Sequence, residues 1–173
     1  MPPSDLIASL VDVRSFASLW YWLALAVLWS VTAHWIMGVP FDMVWRARKG
    51  GPEAMADLET MVRISVARHA LFRGTSGAIL LGVVACVLTM LALLGFLYRI
   101  EVCQAFFLML FPLVLVIWLR MAVIGRITRQ GLSGDALCRR LSLHRIAVQA
   151  IGIVAIVVTS LWGTLQNILA TPF

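Results

Sequence analysis

The chain alternates long uncharged blocks with shorter blocks that hold nearly all of its charge. An α-helix rises about 1.5 Å per residue and a bilayer's hydrocarbon core is roughly 30 Å thick, so about 20 consecutive apolar residues make one crossing. Four blocks reach that length: Phe16 to Met37, Gly77 to Tyr98, Val102 to Ile124 and Ile146 to Leu169. Each predicts a spanning helix. A closed barrel, the other structure that satisfies backbone groups in lipid, needs segments of about ten residues with alternating polarity, and these blocks do not alternate. The pattern therefore predicts an all-α membrane protein with four transmembrane helices in one membrane domain, residues 1–173. Polar connections are expected at about 38–76 and 125–145.

The first connection has a pattern of its own. After Gly50 and Gly51, Pro52 suits a first helical position, and EAMADLETMVRISVARHALF contains no helix breaker. Met55, Leu58, Val62, Val66 and His69 share one face, while Glu59 and Arg63 stand four apart on another. This predicts a cytoplasmic amphipathic helix that either lies on the inner leaflet or prolongs the second span, its apolar face meeting lipid or a docking partner. In the second connection Ser133 is placed to cap a short helix over DALCRRLSLHR, with Asp135 near its positive end.

Composition agrees with the pattern: 62% of residues are hydrophobic, 13% are charged and the mean hydropathy is +0.97. An ordinary soluble domain is excluded. Charge then sets direction. Of the 14 basic residues, 11 lie in two connections: Arg46, Arg48, Lys49, Arg63, Arg68 and Arg73 in the first, and Arg126, Arg129, Arg139, Arg140 and Arg145 in the second. Basic connections stay cytoplasmic, which predicts a multi-pass protein of the bacterial inner (plasma) membrane with both termini periplasmic. The same bias accounts for the net charge of +6 without nucleic acid. Arg46, Arg48, Lys49, Arg63, Arg68, Arg139 and Arg140 become candidates for contact with membrane lipids, at about 1 kcal/mol per well-placed charge, or with an acidic partner. MPPSDL lacks a basic leader region, so the first block is expected to stay as an anchor. Trp20, Tyr21, Trp22, Trp35, Tyr98, Trp118 and Trp162 fall near block ends, as interfacial aromatics do.

Candidate chemistry is sparse. Cys86, Cys103 and Cys138 fall at different depths with no CxxC pair, which argues against a disulfide and against the thiol-oxidising four-helix membrane enzymes; Cys86 reads as a buried packing residue. His34, His69 and His144 all fall toward the cytoplasmic side, and His34 with His144 form the one weak redox pair, for haem or a metal. No carboxylate accompanies them within the blocks, so no cofactor, metal or catalytic residue is assigned. The middles of the blocks carry no ionisable group, which disfavours an ion pump. Gln104, Gln166 and Asn167 fall toward block ends, leaving Gln149 as the candidate interhelical hydrogen-bonding group. Pro112, mid-block, predicts a kink or hinge. Small residues form two stripes, Ala78–Gly82–Cys86 and Ala155–Thr159–Gly163, suited to close helix packing.

The segment DVRSFASLWYWLALAVLWSVTAHWIMGVPFDMVWRARKGG, with DLETMVRI, ALCRRLSLHR and IVVTSLWGTLQN, resembles a family of small bacterial inner-membrane proteins often described as a component of the Suf iron–sulfur cluster assembly complex. The resemblance covers nearly the whole chain and implies membrane residence with an accessory role. Its motifs are anchor and packing residues, so no functional residue is carried over. Three functional expectations follow. The first is a non-enzymatic accessory or assembly subunit that presents its basic connections to another protein subunit. The second is a small membrane subunit of a solute transporter, and the third is a redox protein built on His34 and His144.

Overall fold

A computed structural model describes residues 19–36, 39–70 and 75–170. Helix α1 (Leu19–His34) leads into a two-stranded antiparallel hairpin, β1 (Trp35–Ile36) and β2 (Val39–Pro40), with Trp35 opposite Pro40 and Ile36 opposite Val39. Two helices follow, α2 (Phe41–Lys49) and α3 (Gly51–Ala70). Helix α4 (Thr75–Ala92) ends in a π-turn over Leu93–Leu97, and α5 (Glu101–Gln130) and α6 (Gly134–Ala170) complete the chain.

Among the described residues three stretches are long and apolar enough to cross a bilayer: Gly77–Leu97, Glu101–Gln130 and Gly134–Leu169. The fourth apolar block forms a shorter helix. The sequence expectation carried it to Met37, but the helix stops at His34, where the chain pairs back on itself through the hairpin; residues 16–18 and Met37 lie outside the described residues. The coarse expectation of an all-α membrane protein is met.

The second connection departs further from its expected form. Instead of a loop holding a short helix, residues 125–145 complete α5, turn once, and begin the 37-residue α6. Gly131 makes that turn. It adopts the left-handed conformation (φ 57°), its N–H donates to the carbonyl of Ile127, and the Leu132 N–H donates to the same oxygen at 3.3 Å. Such a reversal suits a residue without a Cβ. Ser133, expected to cap a short helix here, stands just before α6 and its carbonyl accepts the Leu137 N–H at 3.4 Å. The Glu59 carboxylate, from α3, accepts the Gly134 N–H at 2.8 Å and places negative charge at the positive helix end. Glu59 thus ties α3 to α6 rather than serving only its neighbour Arg63.

Two cores organise the molecule. The first, at the arginine-rich end, joins β2, α2, α3, the end of α5 and the start of α6 through Val39, Val44, Leu58, Val62, Ile124 and Leu141. Leu58, Leu137, Cys138 and Leu141 are wholly buried there. The amphipathic face of α3 therefore packs inside its own chain. Met55, Leu58, Val62 and Val66 line this core, which corrects the reading of that face as a free docking or membrane-lying surface; the His69 side chain lies outside the described residues. The second core, among α1, α5 and α6, is smaller: Leu25, Trp29, Val116, Val148 and Ala155.

Between the long apolar helices packing is sparse. The most apolar windows of α5 and α6 are 22% and 28% buried, and that of α4 only 6%. Large apolar side chains such as Leu81, Val83, Met90, Trp118 and Ile153 point outward. That is the arrangement of a protein whose solvent there is hydrocarbon.

Candidate functional site

Polar side chains gather at the two ends of the long helices, and the two gatherings differ in chemistry. At the end away from the arginines, Gln104 of α5 is 2% exposed. Its Nε2 donates to the Gly95 carbonyl in the π-turn at 2.8 Å, and its Oε1 accepts from Trp162 Nε1 and Gln166 Nε2 of α6, each at 2.9 Å. One amide thus joins three segments. The approach is close: a Cβ on Gly95 would stand 2.9 Å from the Gln104 backbone nitrogen, so this contact requires glycine. Phe96 packs edge-on against Phe107 and Trp162, with centroids 5.5 and 5.4 Å away, and Tyr21 donates its hydroxyl to the Ala105 carbonyl at 3.3 Å.

The sequence had pointed to Gln149 for this role. Gln149 is exposed on α6, whereas Gln104, set aside as lying near a block end, makes the interhelical bonds. The missed signal was joint: Gln104 opens α5 while Trp162 and Gln166 fall near the close of α6, which the reversal at Gly131 brings to the same end of the bundle. Pro112 is buried inside α5, which runs without interruption from Glu101 to Gln130.

The opposite end is cationic. Arg46, Arg48, Lys49, Arg63, Arg68 and Arg139 are exposed and Arg140 is half-buried. Arg46 pairs with Asp42 at 3.1 Å, and Lys49 lies 4.1 Å from the centre of the Trp45 ring. The outward face of α3 presents Met61 and Ile64 beside Arg63 and Arg68.

His144, in the basic turns of α6 that precede its apolar stretch, is 4% exposed. The guanidinium groups of Arg120 and Arg140 stand near it. Its companion in the redox reading, His34, has a side chain outside the described residues. The surroundings of His144 favour anions over a metal cation, because the charged groups nearest it are all guanidinium groups. Among the described residues no group of three or more His, Cys, Asp or Glu is placed to hold a metal.

The cysteines stand apart and free. Cys86 is exposed on α4, correcting its reading as a buried packing residue, whereas Cys138 is buried with its Sγ 3.9 Å from the Met55 Sδ. The two small-residue stripes also separate. Ala155, Thr159 and Gly163 are buried within the chain, but Ala78, Gly82 and Cys86 are exposed, and nothing lies within 4 Å of a Cβ built on Gly82.

No protein-family model, curated protein or solved structure matches this chain.

Proposed function

We propose that the chain is a four-crossing protein of the bacterial inner membrane, both termini periplasmic, that works as a non-enzymatic accessory or assembly subunit. In this reading α1 is the fourth crossing, the arginine-rich end is cytoplasmic, and α2 and α3 form a small packed head on that side. The reading agrees with the family resemblance in the sequence. The observation that carries it is α4: a long helix barely buried by its own chain, whose small-residue stripe faces outward. In lipid, helices associate through close packing of small residues, because hydrocarbon gives no hydrophobic drive between them. Among the described residues this stripe has no packing partner, and such a stripe is a seat for a helix of another integral subunit.

The head supplies the second contact. Since the apolar face of α3 is already used, contact with a cytoplasmic partner falls to the outward face, where Met61 and Ile64 are flanked by Arg63 and Arg68. Photo-crosslinking from Gly82 in native membranes tests the assignment. A single reproducible protein adduct from Gly82, absent when the probe is moved to Ile153 on α6, is expected. Adducts to lipid alone would refute it.

A small subunit of a solute transporter is the second reading, and the same stripe favours it because its partner would also be a membrane helix. The identity of the Gly82 adduct separates the two: a large multi-span transport protein supports the second, an assembly factor the first.

A further inference from the structure

A recess of about 250 Å³ opens between α1, α5 and α6 just where the apolar windows give way to the basic end. Its walls are apolar, among them Val31, Val116 and Val148, and its polar lining includes Arg120, His144 and Arg145. The polar groups are unusual in what they lack. Nε of Arg120, Nε of Arg145 and Nδ1 of His144 are buried and have no hydrogen-bond partner among the described residues. No carboxylate lines the recess. Of the acids at this end, Asp42 is committed to Arg46 and Glu59 to the start of α6, while Glu53, Asp57 and Asp135 are exposed and do not line the recess. Arg120 and Arg145 are half-buried, each with its Nε shut from solvent, and cations gathered in such a recess without a counter-charge favour an anion there.

The geometry narrows the anion. Arg145 holds its guanidinium carbon over the Phe41 ring, 3.8 Å from its centre, a contact that spends none of its N–H donors on a hydrogen-bond acceptor. Planar guanidinium edges suit the paired oxygens of a phosphate. The apolar walls continue from the cationic group toward the hydrocarbon windows, so the occupant is a phosphate joined to something apolar. Basic pockets between membrane helices at the cytoplasmic boundary take lipid headgroups.

We propose that this recess binds the phosphate of an anionic phospholipid between Arg120, His144 and Arg145, with an acyl chain lying along Val116 and Val148. The site is separate from the α4 face, and binding does not require the partner named above.

Titration of the full-length protein in neutral detergent with phosphatidylglycerol, read by native mass spectrometry, tests this. One equivalent is expected to be retained, with phosphatidylcholine bound at least tenfold more weakly. Arg120→Gln and Arg145→Gln together should weaken phosphatidylglycerol at least tenfold, whereas Arg129→Gln, which removes an exposed charge of the same sign, should leave it unchanged. Equal loss with Arg129→Gln would reduce the effect to net charge and overturn the site. Inorganic phosphate is the second arm: displacement of the lipid at comparable concentration would make this a free-phosphate site and overturn the lipid assignment. A photoactivatable phosphatidylglycerol on the unsubstituted protein keeps the test independent of folding. Adducts at residues 113–117 and 148 are expected, and adducts confined to α4 would refute the proposal.

Discussion

Replacing Gln104 by methionine changes the side chain's chemistry with little change in its length, so it isolates the hydrogen bonds. Three are lost, to Gly95, Trp162 and Gln166. Interhelical hydrogen bonds in membrane proteins average about 0.6 kcal/mol, which sets a lower bound near 2 kcal/mol for the three. Stranding a buried polar partner costs about 1–3 kcal/mol. The Gly95 carbonyl is the group most exposed to that penalty, because Gly95 is buried, whereas Trp162 and Gln166 are half-buried. The expected loss is about 2–4 kcal/mol, or a fall in apparent Tm of roughly 4–15 °C for a chain of this size. Reversible unfolding in mixed micelles, followed by tryptophan emission, measures it, and Trp162 reports the lost indole bond directly. Gln149→Met is the matched control: Gln149 is exposed on α6, so its change should stay within about 0.5 kcal/mol. If the two variants unfold together, the amide clasp does not hold the bundle.

Two further expectations concern the basic end. Leu58 is wholly buried in the first core, so Leu58→Ala should cost about 2–5 kcal/mol in the same unfolding assay. Glu59→Ala removes the acceptor of the Gly134 N–H and should cost about 0.5–2 kcal/mol, with Glu59→Gln, which keeps an acceptor, restoring most of it.

What was legible in the sequence followed solvent. A run such as GAILLGVVACVLTMLALLGFLY declares its environment residue by residue, so the long helices α4, α5 and α6 could be placed from hydropathy alone. The face of α3 was also legible as apolar, because Met55, Leu58, Val62 and Val66 fall at helical spacing, but its destination was not. An amphipathic stripe says that something apolar covers it, and here the cover is the chain's own α2, α5 and α6. The end of α1 at His34 goes with a tight hairpin that pairs Trp35 with Pro40 and Ile36 with Val39, a local turn that block length does not encode. Gln104 was hidden for a related reason. Its role depends on the π-turn that brings the Gly95 carbonyl within reach, and no simple residue pattern marks such a turn. Of the candidate site residues, the exposed arginines were placed by charge counting, whereas Arg120 and Arg145 gain their significance only from the recess they share with His144.

The two ends are stabilised by different forces, and this makes fold and association separable. Around Leu58 and Leu141 the hydrophobic effect operates, since that core closes against water in the proposed orientation. Along α4 it does not, and the helix is held mainly near its end, where the π-turn meets Gln104. Gly82 touches nothing within 4 Å, so Gly82→Leu has room in the isolated chain, and it removes a glycine from a helix interior, which favours the fold by about 0.5–1 kcal/mol. The same leucine would hold a packed neighbouring helix away from the stripe. Gly82→Leu should therefore keep or raise stability while abolishing the protein adduct formed by a probe one turn away at Ala78. Leu58→Ala should do the reverse, lowering stability while leaving the adduct per folded molecule intact. Retention of the Ala78 adduct in Gly82→Leu would show that α4 faces only lipid, and the subunit reading would fall with it.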